Sequence, residues 1–152
     1  MVAVASSEPR GLLETLRELQ PRHFEQFVAD VWKERQGWET KVMPAGRDRG
    51  IDVLGRPPGG GPLTAVQCKR YAAGNTISAP KIREYAALRQ QDDAVEGVTV
   101  VTTSSFTSAA EDVASDVDVK LIDGADCVRI IERYDAGEIL EWYAAGKPED
   151  WP

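Results

Sequence analysis

Three polar residues on two predicted strands carry side chains that could do chemistry together. Asp52 follows the turn Gly46-Arg-Asp-Arg-Gly50 on a short strand, and Gln67 and Lys69 lie on the next strand. Side chains alternate along a strand, so Gln67 and Lys69 share one face while Cys68 points to the other. If the two strands pair as a hairpin, a carboxylate, an amide oxygen and an ammonium group converge on one spot.

This convergence predicts a site for a hard cation, above all Mg²⁺, which binds few carboxylates and keeps several waters. Such a site supports phosphodiester hydrolysis, because the metal polarises a phosphoryl oxygen and lowers the pKa of a bound water. Lys69 would orient that water or neutralise charge in the transition state, and flanking arginines would hold neighbouring phosphates. From spacing alone an alternative stays open, in which Asp52 caps a turn and Lys69 is a solvated strand residue.

Other catalytic classes lack their motifs in this sequence. The single histidine, His23, lies near a predicted helix start, which removes most hydrolase mechanisms that need an imidazole base. We find no phosphate-binding Walker loop, dinucleotide-binding glycine motif, nucleophile elbow or zinc-spaced Cys/His set.

Cys68 and Cys127 lie far apart, which is more typical of a reducing compartment than of a disulfide framework. No apolar run approaches the ~20 residues of a membrane span and no secretory signal begins the sequence, so we expect a cytoplasmic protein without a membrane partner.

Charge is unevenly distributed along the 152 residues. The net charge of −7 comes from 18 basic and 25 acidic residues, which taken alone argues against a polyanionic partner. Residues 41–90, however, carry a net +6, and the remaining residues carry −13. The basic residues of this window are Lys41, Arg47, Arg49, Arg56, Lys69, Arg70, Lys81, Arg83 and Arg89. The pattern predicts a positive face on a negative body, with a solvated arginine-rich loop as the alternative.

Hydrophobic spacing predicts two helices followed by a three-stranded meander. The helices are expected over 8–19 and from Pro21 to about Gly37, since proline is tolerated in a first turn and glycine is a common stop. The strands are expected over 38–43, 51–54 and 63–71.

The second half of the chain changes to alternating helices and strands. The helices are expected over 78–91, 108–115 and 125–135, the last capped by Asp123 or Asp126, and the strands over 97–102 and 117–122. This order favours parallel pairing, so the sequence predicts an α/β fold with a mixed sheet of about five strands and helices on both faces. The tail after Gly137 carries Trp142, Tyr143 and Trp151, and the sequence leaves open whether it docks on the domain or on a partner.

Five short motifs occur in a fixed order along residues 10 to 135. They are Pro21-Arg-His-Phe-Glu-Gln-Phe27, Gly46-Arg-Asp-Arg-Gly-Ile-Asp52, Val66-Gln-Cys-Lys-Arg-Tyr71, Gly97-Val-Thr-Val-Val-Thr-Thr103 with Phe106, Thr107 and Ala110, and Leu121-Ile-Asp-Gly124. Together they resemble the Mrr-type branch of the PD-(D/E)xK nucleases, in which glutamine commonly replaces the second acid of the motif.

This resemblance implies a restriction-endonuclease-like three-layer fold and a metal-dependent DNA endonuclease. Asp52 matches the metal-binding aspartate of the family motif, Gln67 takes the second-acid position and Lys69 is the motif lysine. Glu25 matches the helix glutamate that completes the acidic site, although without the resemblance it would be interpreted as a solvent-exposed helix acid. The implied metal ligands are Asp52, Glu25, Gln67 and the backbone carbonyl of Cys68. The implied cofactor is Mg²⁺, for which Mn²⁺ would substitute.

The basic window supplies the candidate DNA-binding residues. Arg47, Arg49, Arg70 and Lys81 are the predicted phosphate contacts. Asp48, a second acid in the turn, is interpreted as turn-forming rather than catalytic.

The predicted organisation is an N-terminal helical extension (1–20), an Mrr-like nuclease core (21–136) and an acidic, aromatic tail (137–152). Mrr-type restriction enzymes usually join this core to a separate DNA-reading domain, for which these flanks give little room. We therefore expect targeting by the core itself, by the partner in a homodimer or by a separate subunit. Restriction-type DNA cleavage is the leading hypothesis. The alternatives are a junction-resolving nuclease, or a weakly active DNA-binding or assembly module of the same fold.

Overall fold

The computed structural model describes residues 3–44, 50–90, 94–147 and 151–152. These residues form six α-helices, one 3₁₀ turn and five strands. In chain order they are α1 (Ala3–Glu18), α2 (Pro21–Gln36), β1 (Glu39–Val42), β2 (Val53–Arg56), β3 (Leu63–Lys69), α3 (Ala79–Ala86), the 3₁₀ turn (Ala87–Gln90), β4 (Val95–Thr102), α4 (Ser108–Val117), β5 (Val119–Ile122), α5 (Gly124–Arg133) and α6 (Gly137–Ala144).

The strands form one mixed sheet in the order β1-β2-β3-β4-β5. β1, β2 and β3 are an antiparallel meander, and β4 and β5 run parallel to β3. The change of pairing at β3 follows from the connections, because a short loop joins β2 to β3 whereas helices join the parallel strands. The α/β class, the mixed sheet of about five strands and the parallel second half are confirmed.

Helices cover both faces of the sheet and give the predicted three layers. α1, α2, α5 and α6 pack on the face where Val53, Val66 and Val101 are buried. α3 and α4 pack on the opposite face, where Ala65 and Val100 are buried. Because β3 lies in the middle of the sheet, the side chains of both faces are buried along most of its length.

Two elements differ from their predicted bounds in ways that matter for the site. β2 begins at Val53 instead of residue 51, because the Cys68 N–H donates to the Asp52 carboxylate (2.7 Å) rather than to a backbone carbonyl. The helix predicted over 78–91 tightens into the 3₁₀ turn after Ala86. From that turn Arg89 donates hydrogen bonds to backbone carbonyls at the end of α4 and just beyond it. The first helix also begins earlier than predicted, at Ala3.

The C-terminal tail, whose place the sequence left open, docks on the domain through α6. Ile139 and Leu140 are buried in the core that α2 shares with the sheet. The Tyr143 side chain is buried, and its hydroxyl donates to the Asp30 carboxylate on α2 and accepts a hydrogen bond from the Trp151 N–H (3.0 Å). A buried tyrosine that bonds both an acid and the last described segment ties the tail to α2.

Within the described ranges, no helix combines the length and apolarity that crossing a membrane requires.

Cys68 and Cys127 are both buried and form no disulfide. Burial raises the pKa of each thiol, so both stay protonated and unreactive at neutral pH.

Gly124 begins α5 in a position where a side chain does not fit. An added Cβ would lie 2.6 Å from the Thr103 carbonyl oxygen and 2.9 Å from a methyl group of Leu13. Alanine favours a helix over glycine by ~1 kcal/mol, but here the backbone carbonyl would have to move. We therefore expect Gly124→Ala to lower the free energy of unfolding by about 1–3 kcal/mol, measured by urea denaturation.

Gly137, the first residue of α6, provides the matched control. A Cβ added there meets no heavy atom within 4 Å. Gly137→Ala should therefore leave the free energy of unfolding unchanged or raise it by up to about 1 kcal/mol. Wild-type stability in Gly124→Ala would contradict the close packing of α5 against the loop after β4.

Candidate active site

Asp52 lies at the point where β2 separates from β3, and the sheet itself holds it. Its carbonyl accepts the Met43 N–H (2.8 Å) and its own N–H donates to the Val66 carbonyl (2.9 Å). Its Oδ2 accepts the Cys68 N–H (2.7 Å). The carboxylate thus takes the position in the ladder that a backbone carbonyl would otherwise occupy, which fixes its orientation relative to β3.

Gln67 carries an unsatisfied polar atom beside Asp52. Gln67 is 4% exposed, and its Oε1 is buried with no hydrogen-bond partner among the described residues. Gly50 lies next to it, and a Cβ at Gly50 would stand 3.5 Å from this oxygen. A buried acceptor left unpaired costs about 1–3 kcal/mol, so a cation or donor placed there would be stabilised.

Lys69 ends β3 on the same face as Gln67, two residues further on. Its Nζ lies 5.8 Å from the centroid of the Tyr85 ring, which α3 brings to this face of the sheet. This separation is within the range of a cation–π interaction, which favours the charged ammonium group over the ring. The positive charge of Lys69 also lowers the pKa of both Asp52 and Glu25, which puts the ammonium group within electrostatic range of both acids.

Glu25 reaches the site from the N-terminal part of α2. Pro21 starts this helix at a position where the missing N–H is tolerated, and Phe24 anchors the first turn in the core. The Glu25 side chain is 18% exposed and its Oε1 accepts a hydrogen bond from Arg22 Nη1 (3.0 Å). Its charge raises the pKa of Asp52, so the structure brings Glu25 into the electrostatic range of Asp52 and Lys69.

Burial makes the charged form of each acid less favourable in the fold than it is in water. Burial is the largest cause that raises the pKa of Asp52, to about 6, and the charge of Glu25 raises it further. The Cys68 N–H and the charges of Lys69 and Arg22 oppose this shift. The pKa of Glu25 is also raised, chiefly by burial, while the hydrogen bond and charge of Arg22 lower it. Two nearby carboxylates withdrawn from water form a site that a divalent cation would stabilise.

The donor set fits a hard divalent cation held by few acids. In the described parts of the chain, no three His, Cys, Asp or Glu side chains cluster closely enough to hold a metal. Two carboxylates, from Asp52 and Glu25, are nevertheless what Mg²⁺ requires, because it is bound by one or two carboxylates and retains waters. Oε1 of Gln67, which no described residue hydrogen-bonds, is a further oxygen donor at the same place.

The predicted DNA-binding residues are distributed differently from the acids. Arg70 directs Nη1 to the Arg17 carbonyl in the last turn of α1 (2.9 Å), and its Nε is buried without a partner in the described structure. Lys81 is half-exposed on α3 and pairs with Glu84 (3.6 Å). Arg47 and Arg49, with Asp48 between them, lie outside the described residues.

Two residues near the site were not identified from the sequence. Arg22 bonds Glu25 and lowers the pKa of both acids, and its signal is the three-residue spacing to Glu25, which places both on one helix face. Tyr85 flanks the Lys69 ammonium group. Nothing in the sequence distinguishes Tyr85 from an ordinary core aromatic, because its contact with Lys69 depends on how α3 packs on the sheet.

Comparisons of sequence and fold relate the chain to known proteins. The family model of the Mrr catalytic domain, described as a restriction endonuclease, matches residues 16–131. The Type IV methyl-directed restriction enzyme EcoKMrr of Escherichia coli (strain K12) is 32% identical over 127 residues. That alignment covers 79% of this chain and 40% of EcoKMrr.

Two solved structures share the fold. The MspJI restriction endonuclease, in complex with a 27-mer oligonucleotide, superimposes with a TM-score of 0.67 at 22% identity, over 92% of this chain and 35% of MspJI. The DNA modification-dependent restriction endonuclease AspBHI gives 0.67 at 21% identity, over 92% of this chain and 40% of AspBHI. The chain thus spans less than half the length of each of these relatives. Since the family model matches well over half of its residues, the chain belongs to the Mrr-type restriction endonuclease family.

Proposed function

We propose that this chain is a metal-dependent DNA endonuclease of the restriction type, which hydrolyses phosphodiester bonds. The observation that carries the proposal is the electrostatic proximity of the Asp52 and Glu25 carboxylates and the Lys69 ammonium group, beside a Gln67 Oε1 that has no hydrogen-bond partner among the described residues. A hydrophobic or purely structural strand end would not retain two partly buried acids and an unsatisfied amide oxygen at one place.

Asp52, Glu25, Gln67 and the backbone carbonyl of Cys68 would hold the cation, Mg²⁺ or Mn²⁺. When bound, the metal polarises a phosphoryl oxygen and lowers the pKa of a coordinated water. The protein's part is to fix both carboxylates and to favour their charged forms. The bond between Asp52 Oδ2 and the Cys68 N–H does so for one acid, and the Arg22 guanidinium does so for the other.

Lys69 would supply the positive charge that faces the reacting phosphate. Its ammonium group is attracted by both acids and lies near the face of the Tyr85 ring, which limits the positions that it takes up. A fixed ammonium group can orient the attacking water and neutralise the charge that develops on the phosphoryl oxygens. This role needs no imidazole base, in keeping with the single histidine of the chain.

DNA is the proposed substrate because the family consists of restriction endonucleases and one relative of the same fold is in complex with an oligonucleotide. Lys81, Arg47, Arg49 and Arg70 remain the predicted phosphate contacts. Cutting both strands requires two sites, which a homodimer would supply with one two-fold axis. A separate targeting subunit would be an alternative source of sequence recognition.

Removing either charged group of the site should abolish cleavage. We expect Asp52→Asn and Lys69→Met each to slow nicking and linearisation of supercoiled plasmid by at least about 100-fold, with Mg²⁺ or Mn²⁺ present. Methylated and unmethylated plasmids should be assayed in parallel, because EcoKMrr is methyl-directed. Agarose gels of time courses provide the measurement.

Two exposed residues give matched controls for these substitutions. Asp116→Asn on α4 and Lys120→Met on β5 make the same chemical changes away from the site. Both should cleave as the wild type does. Wild-type cleavage by Asp52→Asn and Lys69→Met would defeat the assignment. Salt-sensitive DNA binding by a wild type that never cleaves would favour the DNA-binding module instead.

The metal-free protein should be stabilised by Asp52→Asn at neutral pH but not in acid. Because the pKa of Asp52 is raised from 3.8 to about 6, the stability that its protonated form contributes is complete below pH 3.8 and is lost as the pH rises through 6. Asparagine stays neutral and can still accept the Cys68 N–H. In EDTA we expect the variant to exceed the wild type by about 1–3 kcal/mol at pH 8 and to match it below pH 4. Urea denaturation at both pH values measures this, and an equal difference at both would contradict the raised pKa.

Gln67→Glu tests whether the amide oxygen faces the cation. A carboxylate there should raise the affinity of the DNA-free protein for Mn²⁺ by about 10-fold, because a third negative charge joins the ligands. The same charge should lower the metal-free stability by about 3 kcal/mol, because it is buried beside two acids. Gln90→Glu, at an exposed position in the 3₁₀ turn, should change neither quantity. Unchanged Mn²⁺ affinity in Gln67→Glu would remove Gln67 from the site.

A further inference from the structure

Arg22 connects three elements that must stay in register for the two acids to face each other. Its Nη1 donates to Glu25 Oε1 (3.0 Å) on the same helix and to the Met43 carbonyl (2.6 Å) just after β1. The Met43 N–H in turn donates to the Asp52 carbonyl (2.8 Å). A continuous path of hydrogen bonds therefore runs from the Glu25 carboxylate through Arg22 and Met43 to the backbone of Asp52.

We propose that Arg22 is a positioning residue for the metal site, which holds the Glu25 carboxylate in place relative to Asp52. This inference rests on the proposed function, because it assigns Arg22 a role toward the cation that the two acids would bind. The Arg22 bond uses one carboxylate oxygen of Glu25, and the other can coordinate. Residues that hydrogen-bond a ligating carboxylate fix its orientation and commonly tune metal affinity.

An ordinary helix ion pair does not account for this contact. Exposed pairs three residues apart contribute little, since both side chains lose freedom in high-dielectric solvent. Glu25 is only 18% exposed, and the second acceptor of Arg22 belongs to a different element. Both acceptors are bound by the same nitrogen, Nη1, so the end of the guanidinium group is held in place. This favours a role in positioning Glu25 over a role as a direct phosphate contact.

Arg35 on the same helix provides the matched control. It also donates to a backbone carbonyl outside the helix, that of Asp135 (3.3 Å). Arg35 lies at the opposite end of α2 from Arg22 and Glu25. Arg35→Gln removes the same charge from α2 as Arg22→Gln does. A difference between the two variants therefore reports on the Glu25 contact and not on the net charge of the protein.

The test is Mn²⁺ binding to the full chain without DNA, measured by electron paramagnetic resonance and calorimetry at pH 8. We expect Arg22→Gln to weaken Mn²⁺ binding by about 10–100-fold and Arg35→Gln to leave it unchanged. Arg22→Lys keeps the charge but loses the planar fork, so its affinity should lie between those of Arg22→Gln and the wild type. Thermal unfolding in EDTA shows which variants fold, and Arg22→Lys carries the test if Arg22→Gln does not.

Other outcomes overturn the inference. Tighter Mn²⁺ binding by Arg22→Gln would mean that Arg22 competes with the cation. Unchanged Mn²⁺ binding with weaker DNA binding would make it a phosphate contact instead. If the wild type binds Mn²⁺, Asp52→Asn does not, and Arg22→Gln binds as the wild type does, the inference fails while the proposed function stands. If the wild type binds no Mn²⁺, both fail.

Discussion

The hydrogen bond from the Cys68 N–H to Asp52 Oδ2 is the contact on which the rest of the site depends. It ends the backbone ladder between β2 and β3 by substituting a carboxylate for a carbonyl. The acid is thereby held against the central strand, where alternation sends Cys68 to the face of α1 and α2 and sends Gln67 and Lys69 to the face of α3. A longer acid would not remain in this position of the ladder, because its carboxylate lies one carbon further from the backbone.

Holding two acids here opposes the stability of the fold. Burial raises the pKa of Asp52 and Glu25, and the charge of Glu25 raises the pKa of Asp52 further, so the fold loses stability when these acids ionise. Lys69 and Arg22 offset part of this from opposite sides, one from β3 and one from α2. A glutamine at position 67 avoids a third charge in the same space. Under the proposed function, a bound cation would relieve this electrostatic cost.

The elements whose hydrophobic residues recur at regular spacing are those that the sequence predicted best. The meander, the parallel second half and the pairing that brings Asp52 to β3 all follow from alternation and turn residues, and the order of motifs gave the family. The contact of Tyr85 with Lys69 and the docking of α6 were not predictable, because they depend on which helix faces meet across the sheet, whereas the spacing of Arg22 and Glu25 on one helix face was a signal that the sequence offered. The start of β2 was misplaced since a side chain, not the backbone, satisfies Cys68. A prediction from hydrophobic pattern assumes that strands pair through their backbones alone, and it fails here because the Asp52 carboxylate accepts the Cys68 N–H.

The distribution of charge gives the cation a second role under the proposed function. The window over 41–90 is basic in sequence, but the Arg70 guanidinium reaches the last turn of α1, and Lys81 pairs with Glu84. Part of this positive charge is therefore already engaged by other groups of the chain, and the body of the chain is strongly acidic. A bare pair of carboxylates would repel a phosphate backbone at short range, whereas a bound divalent ion reverses the local sign of the potential. Affinity for DNA at this site would then depend on the same ion that supplies the chemistry, so binding and cleavage would share one requirement for metal.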